Sequence, residues 1–149
     1  PFPQLTRRDL DMANTIEKRS ISYEAATKMV AAAIAKAEKL GCKQNAAVVD
    51  NGGRLVAFGR MDGAPILGIE GCQRKAFTAL FGAGTEDIYQ MFKGDASVVH
   101  GLSHLTNATI IGGGLPIIID DEVVGGIGVG GGSVEEEVAC SQAGIDALE

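Results

Sequence analysis

The sequence predicts an α+β fold: an antiparallel sheet of about five strands, built from two hairpins and flanked by amino-terminal, central and carboxy-terminal helices. Three observations carry this. A long stretch with helical periodicity opens the regular part of the chain, two pairs of β-prone runs are each joined by a tight turn, and a capped helix closes it. Strands that arrive as hairpins favour an antiparallel layer with helices on it over βαβ repeats.

The first helix is expected in "SYEAATKMVAAAIAKAEKLG". Ser22 can cap it, Glu24 suits the first turn and Gly41 can end it. Ala26, Met29, Val30, Ala33, Ile34, Ala37 and Leu40 recur at helical spacing, a stripe rich enough in alanine for close approach. Ala46–Asp50 and Arg54–Arg60 then flank "NGG", a hairpin signal because Asn and Gly tolerate positive φ. Pro65 suits the first position of a central helix whose apolar stripe is Ile66, Ile69, Ala76, Phe77 and Leu80. Thr85 is placed to cap a short helix, with Glu86 and Asp87 in its first turn; Gly94 to Asn107 reads as either a loop or a short helix. "ATIIGGGLPIII" and "EVVGGIGVG" are strand-like runs joined by a turn at Asp120 and Asp121. "SVEEEVACSQAGIDALE" is the closing helix, where Ser133 and Glu136 match the S-x-x-E capping box. Residues 1–149 are expected to form one domain, with 1–20 an amino-terminal extension that packs on a neighbouring subunit.

Composition narrows the function. A net charge of −6 disfavours nucleic acid and anionic membrane surfaces as partners. No apolar run approaches the ~18 residues of a membrane span, and the amino terminus lacks the apolar core of a secretory signal. Cys42, Cys72 and Cys140 are odd in number and contain no CxxC pair, which suits a reducing compartment and predicts a cytoplasmic protein.

Nine of the 21 glycines fall between Gly112 and Gly132. Gly126, Gly128 and Gly131 satisfy GxGxxG, yet the first two lie inside a strand and no second βαβ half follows, so a dinucleotide site does not fit. Two readings remain. The glycines allow bulges and close strand–helix packing, or "GVGGGSVEEE" offers backbone N–H groups at a helix amino terminus to an anion such as a carboxylate, opposed by three glutamates just inside the helix.

"VVDNGGRLVAFGRMDGA", "RKAFTA", "GGGLPIIIDDEVVGGIGVGGGSVEEE" and the closing helix together resemble the GlcG/HbpS-like family, the haem-degrading domain family that includes the carboxy-terminal domain of PduO-type proteins. The resemblance runs from Ser22 to Leu148. It implies an antiparallel sheet flanked by helices and a homo-oligomer, often an octamer. It also implies a small-ligand pocket near "RMD", "KA" and "GGG", which assigns Arg60, Met61, Lys75, Gly113, Gly114 and Gly131 to ligand binding. Some members bind haem and are linked to its degradation or to redox sensing; a related group resembles lyases acting on hydroxylaminobenzoate. The chain departs from the commoner pattern at Gly130, where serine is frequent, and at Glu137, where aspartate is frequent.

The chemistry-bearing residues agree with two readings. In the first, the chain binds a small anionic or planar ligand, haem among them: Arg60 and Lys75 hold carboxylates, the glycine segments wall the pocket, and His100 or His104, four apart and on one face if helical, binds iron if iron is present. In the alternative, the chain is a cofactor-independent lyase or isomerase on a small aromatic or hydroxy acid. Arg60 and Lys75 then anchor the carboxylate, and His100, His104 and Asp62 handle protons. A structural ion pair of Asp62 with Lys75 or Arg60 is the bland counterpart. Met61 and Cys72 are read as packing residues before ligands.

Overall fold

The computed structural model describes residues 14–149, so most of the extension expected over 1–20 lies outside the described residues. The elements are α1 (Tyr23–Leu40), β1 (Asn45–Asp50), β2 (Leu55–Arg60), α2 (Leu67–Thr78) with a 3-10 turn at Ala79–Phe81, α3 (Thr85–Phe92), α4 (Ala96–Leu102), β3 (Gly114–Ile119), β4 (Glu122–Gly130) and α5 (Val134–Asp146). The strands form one antiparallel sheet in the order β2-β1-β4-β3. Among the described residues no helix is long and apolar enough to cross a membrane.

Among the described residues four strands stand where about five were expected. The run "ATIIGGGLPIII" enters the ladder only at Gly114. Upstream, the Thr109 N–H donates to Thr78 Oγ1 (2.9 Å) and the Ile111 N–H to Thr109 Oγ1, so backbone donors that a strand would use go to hydroxyls. The two loops differ in type. Asp120 (φ 50°) and Asp121 (φ 62°) make a two-residue turn with both residues left-handed, the geometry that matches strand twist. In the first loop only Gly53 has positive φ, and the Asp50 carboxylate accepts from the Gly52 and Arg54 N–H groups.

One face of the sheet is covered by α1 and α5. Ser22 caps α1 by accepting from the Ala25 N–H, Gly41 ends it at φ 73°, and Ala26, Met29, Val30, Ala33 and Ala37 are buried as their spacing predicts; Leu40 is exposed. α5 begins with the expected capping box between Ser133 and Glu136. Met29, Val48, Ile117, Ile127 and Val129 centre the core between these helices and the sheet.

The other face carries α2, and here the expectation needs correction. Ile66 is 77% exposed, and the residues turned to the sheet are Gly68, Cys72, Lys75 and Ala76. The cause is opposite them. A Cβ on Gly126 would meet the Ala76 carbonyl, one on Gly128 the Cys72 carbonyl, and one on Gly130 the Gly68 carbonyl. Helix and strand lie backbone to backbone, so small residues face the sheet and larger ones are pushed to the flanks. The glycine run is therefore a packing device. Asn45, fully buried at the start of β1, donates to the Pro65 and Gly130 carbonyls and ties the approach to α2 to the end of β4. That approach is a turn over Pro65–Gly68, so the helix begins two residues later than Pro65. Thr85 likewise opens α3 without capping it: its hydroxyl accepts from the Gly114 N–H at 3.0 Å.

This packing has a direct test. Gly128→Ala is expected to lower the unfolding free energy by about 2 kcal/mol or more, because backbone atoms of Cys72 and Ala76 must move. Gly71→Ala, on the same helix but with open space around its Cα, is expected to raise it by about 0.5–1 kcal/mol. Urea denaturation of both variants checks the pair of signs.

Candidate functional site

Lys75 lies in the last turn of α2 with its side chain 5% exposed. It donates to Glu137 Oε2 at 2.5 Å and to the Val129 carbonyl at 3.0 Å. Glu137 belongs to α5, on the far side of the sheet, and its Oε1 accepts from the Gly131 and Gly132 N–H groups at 3.0 and 3.3 Å. The anion anticipated at the glycine-rich amino end of α5 is thus the chain's own carboxylate. Gly113 (φ 116°) lies beside it, where a Cβ would press on Glu137 and on the Val129 carbonyl. The Gly113 carbonyl accepts from Ser141 Oγ at 2.7 Å, which completes the link between α5 and the sheet end.

On its outer side α2 borders three adjoining clefts. Residues 107–109 cross here as a strap and contribute one residue to each: Asn107, Ala108 and Thr109. The first cleft, about 210 Å³, is the most polar of the three, with Arg54, Glu70, Gln73 and Arg74 beside Val49, Leu55 and Phe77. The second is an apolar groove of about 450 Å³, walled by Phe77, Phe81, Ile88, Phe92, Leu102 and Leu105, with no charged residue in its lining. The third, about 300 Å³, has Lys75 among Leu67, Arg74, Thr109 and Ile111.

The residues singled out in the sequence fall in three places. Lys75, Gly113, Gly114 and Gly131 gather around Glu137, although the space a Cβ would take at Gly114 is filled by the Lys75 carbonyl. Arg60 and Asp62 are exposed at the end of β2, while Met61 packs on the core with its sulfur accepting from the Gln44 N–H. Arg60 pairs with Asn45, which pairs with Gly130, so this group lies level with the start of α2. Gly68, at that end, is about 12 Å along the helix from Ala76. Neither Asp62 nor Arg60 pairs with Lys75, whose partner is Glu137. The third place is α4. His100 is in its last turn and His104 lies past its end in a following turn, both exposed, so one helix face does not hold the two imidazoles. His104 sits between Leu102 and Leu105, both of which line the apolar groove.

Sequence reasoning passed over Arg54, Arg74 and the pairing role of Glu137. A lysine on a helix face otherwise made of Gly, Cys and Ala was the available signal, since such a residue needs a buried counter-charge. Burial holds the Cys72 thiol protonated, pushing its pKa from 9.0 up to about 12, and the Cys140 thiol goes up to about 11 for the same reason. Cys72 is fully buried with its thiol donating to the Ile69 carbonyl, as a packing residue would be. Among the described residues no three His, Cys, Asp or Glu side chains are grouped to hold a metal ion.

Comparison with known proteins places this geometry in context. A family model described as haem-degrading protein HbpS-like matches residues 21–146. The chain is 37% identical over 131 residues to an uncharacterised 15.0 kDa protein from the dhaT–dhaS intergenic region of Citrobacter freundii, a match covering 85% of this chain and 91% of that one. Its fold is similar to a double mutant of Streptomyces reticuli HbpS, with a TM-score of 0.85, 28% identity and coverage of 100% of this chain and 98% of that one. It is also similar to PduOC in its haem complex, with a TM-score of 0.79, 28% identity and coverage of 86% and 94%.

Two outcomes follow from the buried groups. Lys75→Met is expected to cost about 3–5 kcal/mol, because Glu137 is left buried without its cation, and adding Glu137→Leu is expected to recover more than half; chemical denaturation of the single and double variants checks this. Cys72 keeps its proton in the folded chain after the unfolded thiol has lost it. Stability is therefore expected to fall as pH rises from 9 towards 12, by more in the native chain than in Cys72→Ala, as followed by thermal melts across that range.

Proposed function

The chain belongs to the HbpS-like family of haem-degrading proteins, and from that premise we propose that it binds a planar tetrapyrrole of the haem class in the groove between α2, α3 and α4. The observation that carries the reading is the groove itself: about 450 Å³ of aromatic and aliphatic wall. A macrocycle calls for apolar faces, and its iron for a nitrogen ligand. Phe77, Phe81 and Phe92 answer the first requirement; for the second the reading draws on His104, next in sequence to the groove residue Leu105, or His100 of α4, neither of which lines the groove itself. The haem complex of the similar PduOC supports the same ligand class. Bound haem supplies a redox-active iron. The chain's own part is to exclude water along the groove.

One observation favours a second reading. Lys75, paired with Glu137, lines the third cleft and has two of its three N–H donors engaged among the described residues, an arrangement suited to proton transfer on a small aromatic or hydroxy acid without a cofactor. In that reading Arg60 and Asp62, at the other end of α2, act only on a ligand long enough to reach them. Under either reading the exposed Leu67 (86%), Ile66 (77%) and Ile111 (58%) support a homo-oligomer in which this apolar surface is covered.

Titration of the apoprotein with haemin, followed by absorbance, separates the two. Saturable stoichiometric binding with a defined Soret band, shifted or lost in His104→Ala or His100→Ala, is the expected result. Unsaturable association that neither variant changes would overturn haem binding. Turnover of small aromatic carboxylates by the native chain that is lost in the folded Lys75→Met/Glu137→Leu double variant would then establish the second reading.

A further inference from the structure

We propose that the polar cleft next to the groove is a carboxylate subsite, in which Arg54 and Arg74 take the carboxylates of an amphipathic planar ligand whose apolar body lies in the groove. This rests on the reading above for the body of the ligand and adds where its charged end goes.

The two clefts share a wall: Phe77 lines both, and the strap contributes Asn107 to the polar cleft and Ala108 to the groove. The groove has no charged lining, so a dicarboxylate seated in it must carry its charge out past one end. Across the Phe77 ring that end meets two guanidinium groups and one carboxylate. Arg74 gives its Nε and Nη2 hydrogens to Glu70 Oε1, at 2.8 and 2.6 Å, which uses two of its five N–H donors. Arg54 is exposed and its guanidinium makes no hydrogen bond or ion pair among the described residues. Arg54, Arg74 and Glu70 therefore leave one uncompensated positive charge, in a chain whose net charge is −6. The Asn107 carboxamide, also without a side-chain partner among the described residues, lies on the same rim at a residue held at φ 68°. At about 210 Å³ the cleft is too small for a macrocycle and large enough for carboxylate groups. Arginine suits this task because its fork matches a carboxylate with two parallel hydrogen bonds.

The test compares haemin with its dimethyl ester, which keeps the macrocycle and iron but removes both charges, on the native chain and on the Arg54→Ala/Arg74→Ala double variant. The native chain is expected to bind haemin about tenfold to a hundredfold more tightly than the ester, and the double variant to bind both at the ester's level. The Soret position should stay unchanged, because the iron ligand is elsewhere. Equal affinity of the native chain for both compounds, or a double variant that still prefers haemin by the native margin, would overturn the subsite and leave haem binding standing. Absence of saturable binding for either compound would overturn haem binding and the subsite with it. The ester comparison on the native chain needs no substitution, so a folding defect in the double variant does not blunt it.

Discussion

The carbonyl oxygens of Cys72 and Ala76 lie against the α-carbons of Gly128 and Gly126, and from this contact most of the molecule's arrangement follows. A helix usually stands off a sheet by the thickness of two side-chain layers; here the layer on β4 is absent. Dispersion between backbone atoms replaces it, and the helix answers with its own small residues, Gly68, Cys72 and Ala76. The larger side chains of α2 are displaced to its sides. Phe77 becomes a wall, Arg74 a rim, and Lys75 reaches past the end of β4 towards the opposite layer.

That reach explains the buried ion pair. Desolvating a lysine and a glutamate is unfavourable unless the remaining donors and acceptors are met. Here Lys75 has the Val129 carbonyl beside Glu137, and Glu137 has two backbone N–H groups beside Lys75. The network joins α2 on one face to α5 on the other through a sheet end that is mostly glycine. The glutamate side chain is long enough for one carboxylate to contact Lys75 and the Gly131 and Gly132 N–H groups at once.

Elements whose signals are local were legible in the sequence. Ser22 and Gly41 bound α1, Ser133 and Glu136 make the capping box, and Asp120–Asp121 is the turn. What depended on distant partners was not. The run Ala108–Ile111 has strand composition, but Thr78, some thirty residues earlier, takes its donor. The stripe Ile66, Ile69, Ala76, Phe77 and Leu80 has helical spacing, but of these only Ala76 is fully buried, because the buried face was decided by glycines on β4. The candidate site divided in the same way. Lys75 and the glycine segments do meet, because both belong to the helix–sheet contact, whereas the clefts are assembled from the first hairpin, α2 and the strap, whose proximity no spacing encodes.

Between Gly82 and Gly112 the chain leaves the sheet to form α3, α4 and the strap, and the hydroxyls of Thr78 and Thr85 tie this excursion back at its two ends. The molecule is thereby divided into a part that tolerates almost no change and a part that tolerates a great deal. At Gly126 and Gly128 of β4 even a methyl group is excluded, while most of the groove wall rests on residues that the helix–sheet contact never touches. Drift in amino-acid identity can accumulate in the excursion and reshape the groove without disturbing the frame. A single architecture of this kind can diversify in what it holds while remaining recognisably the same fold.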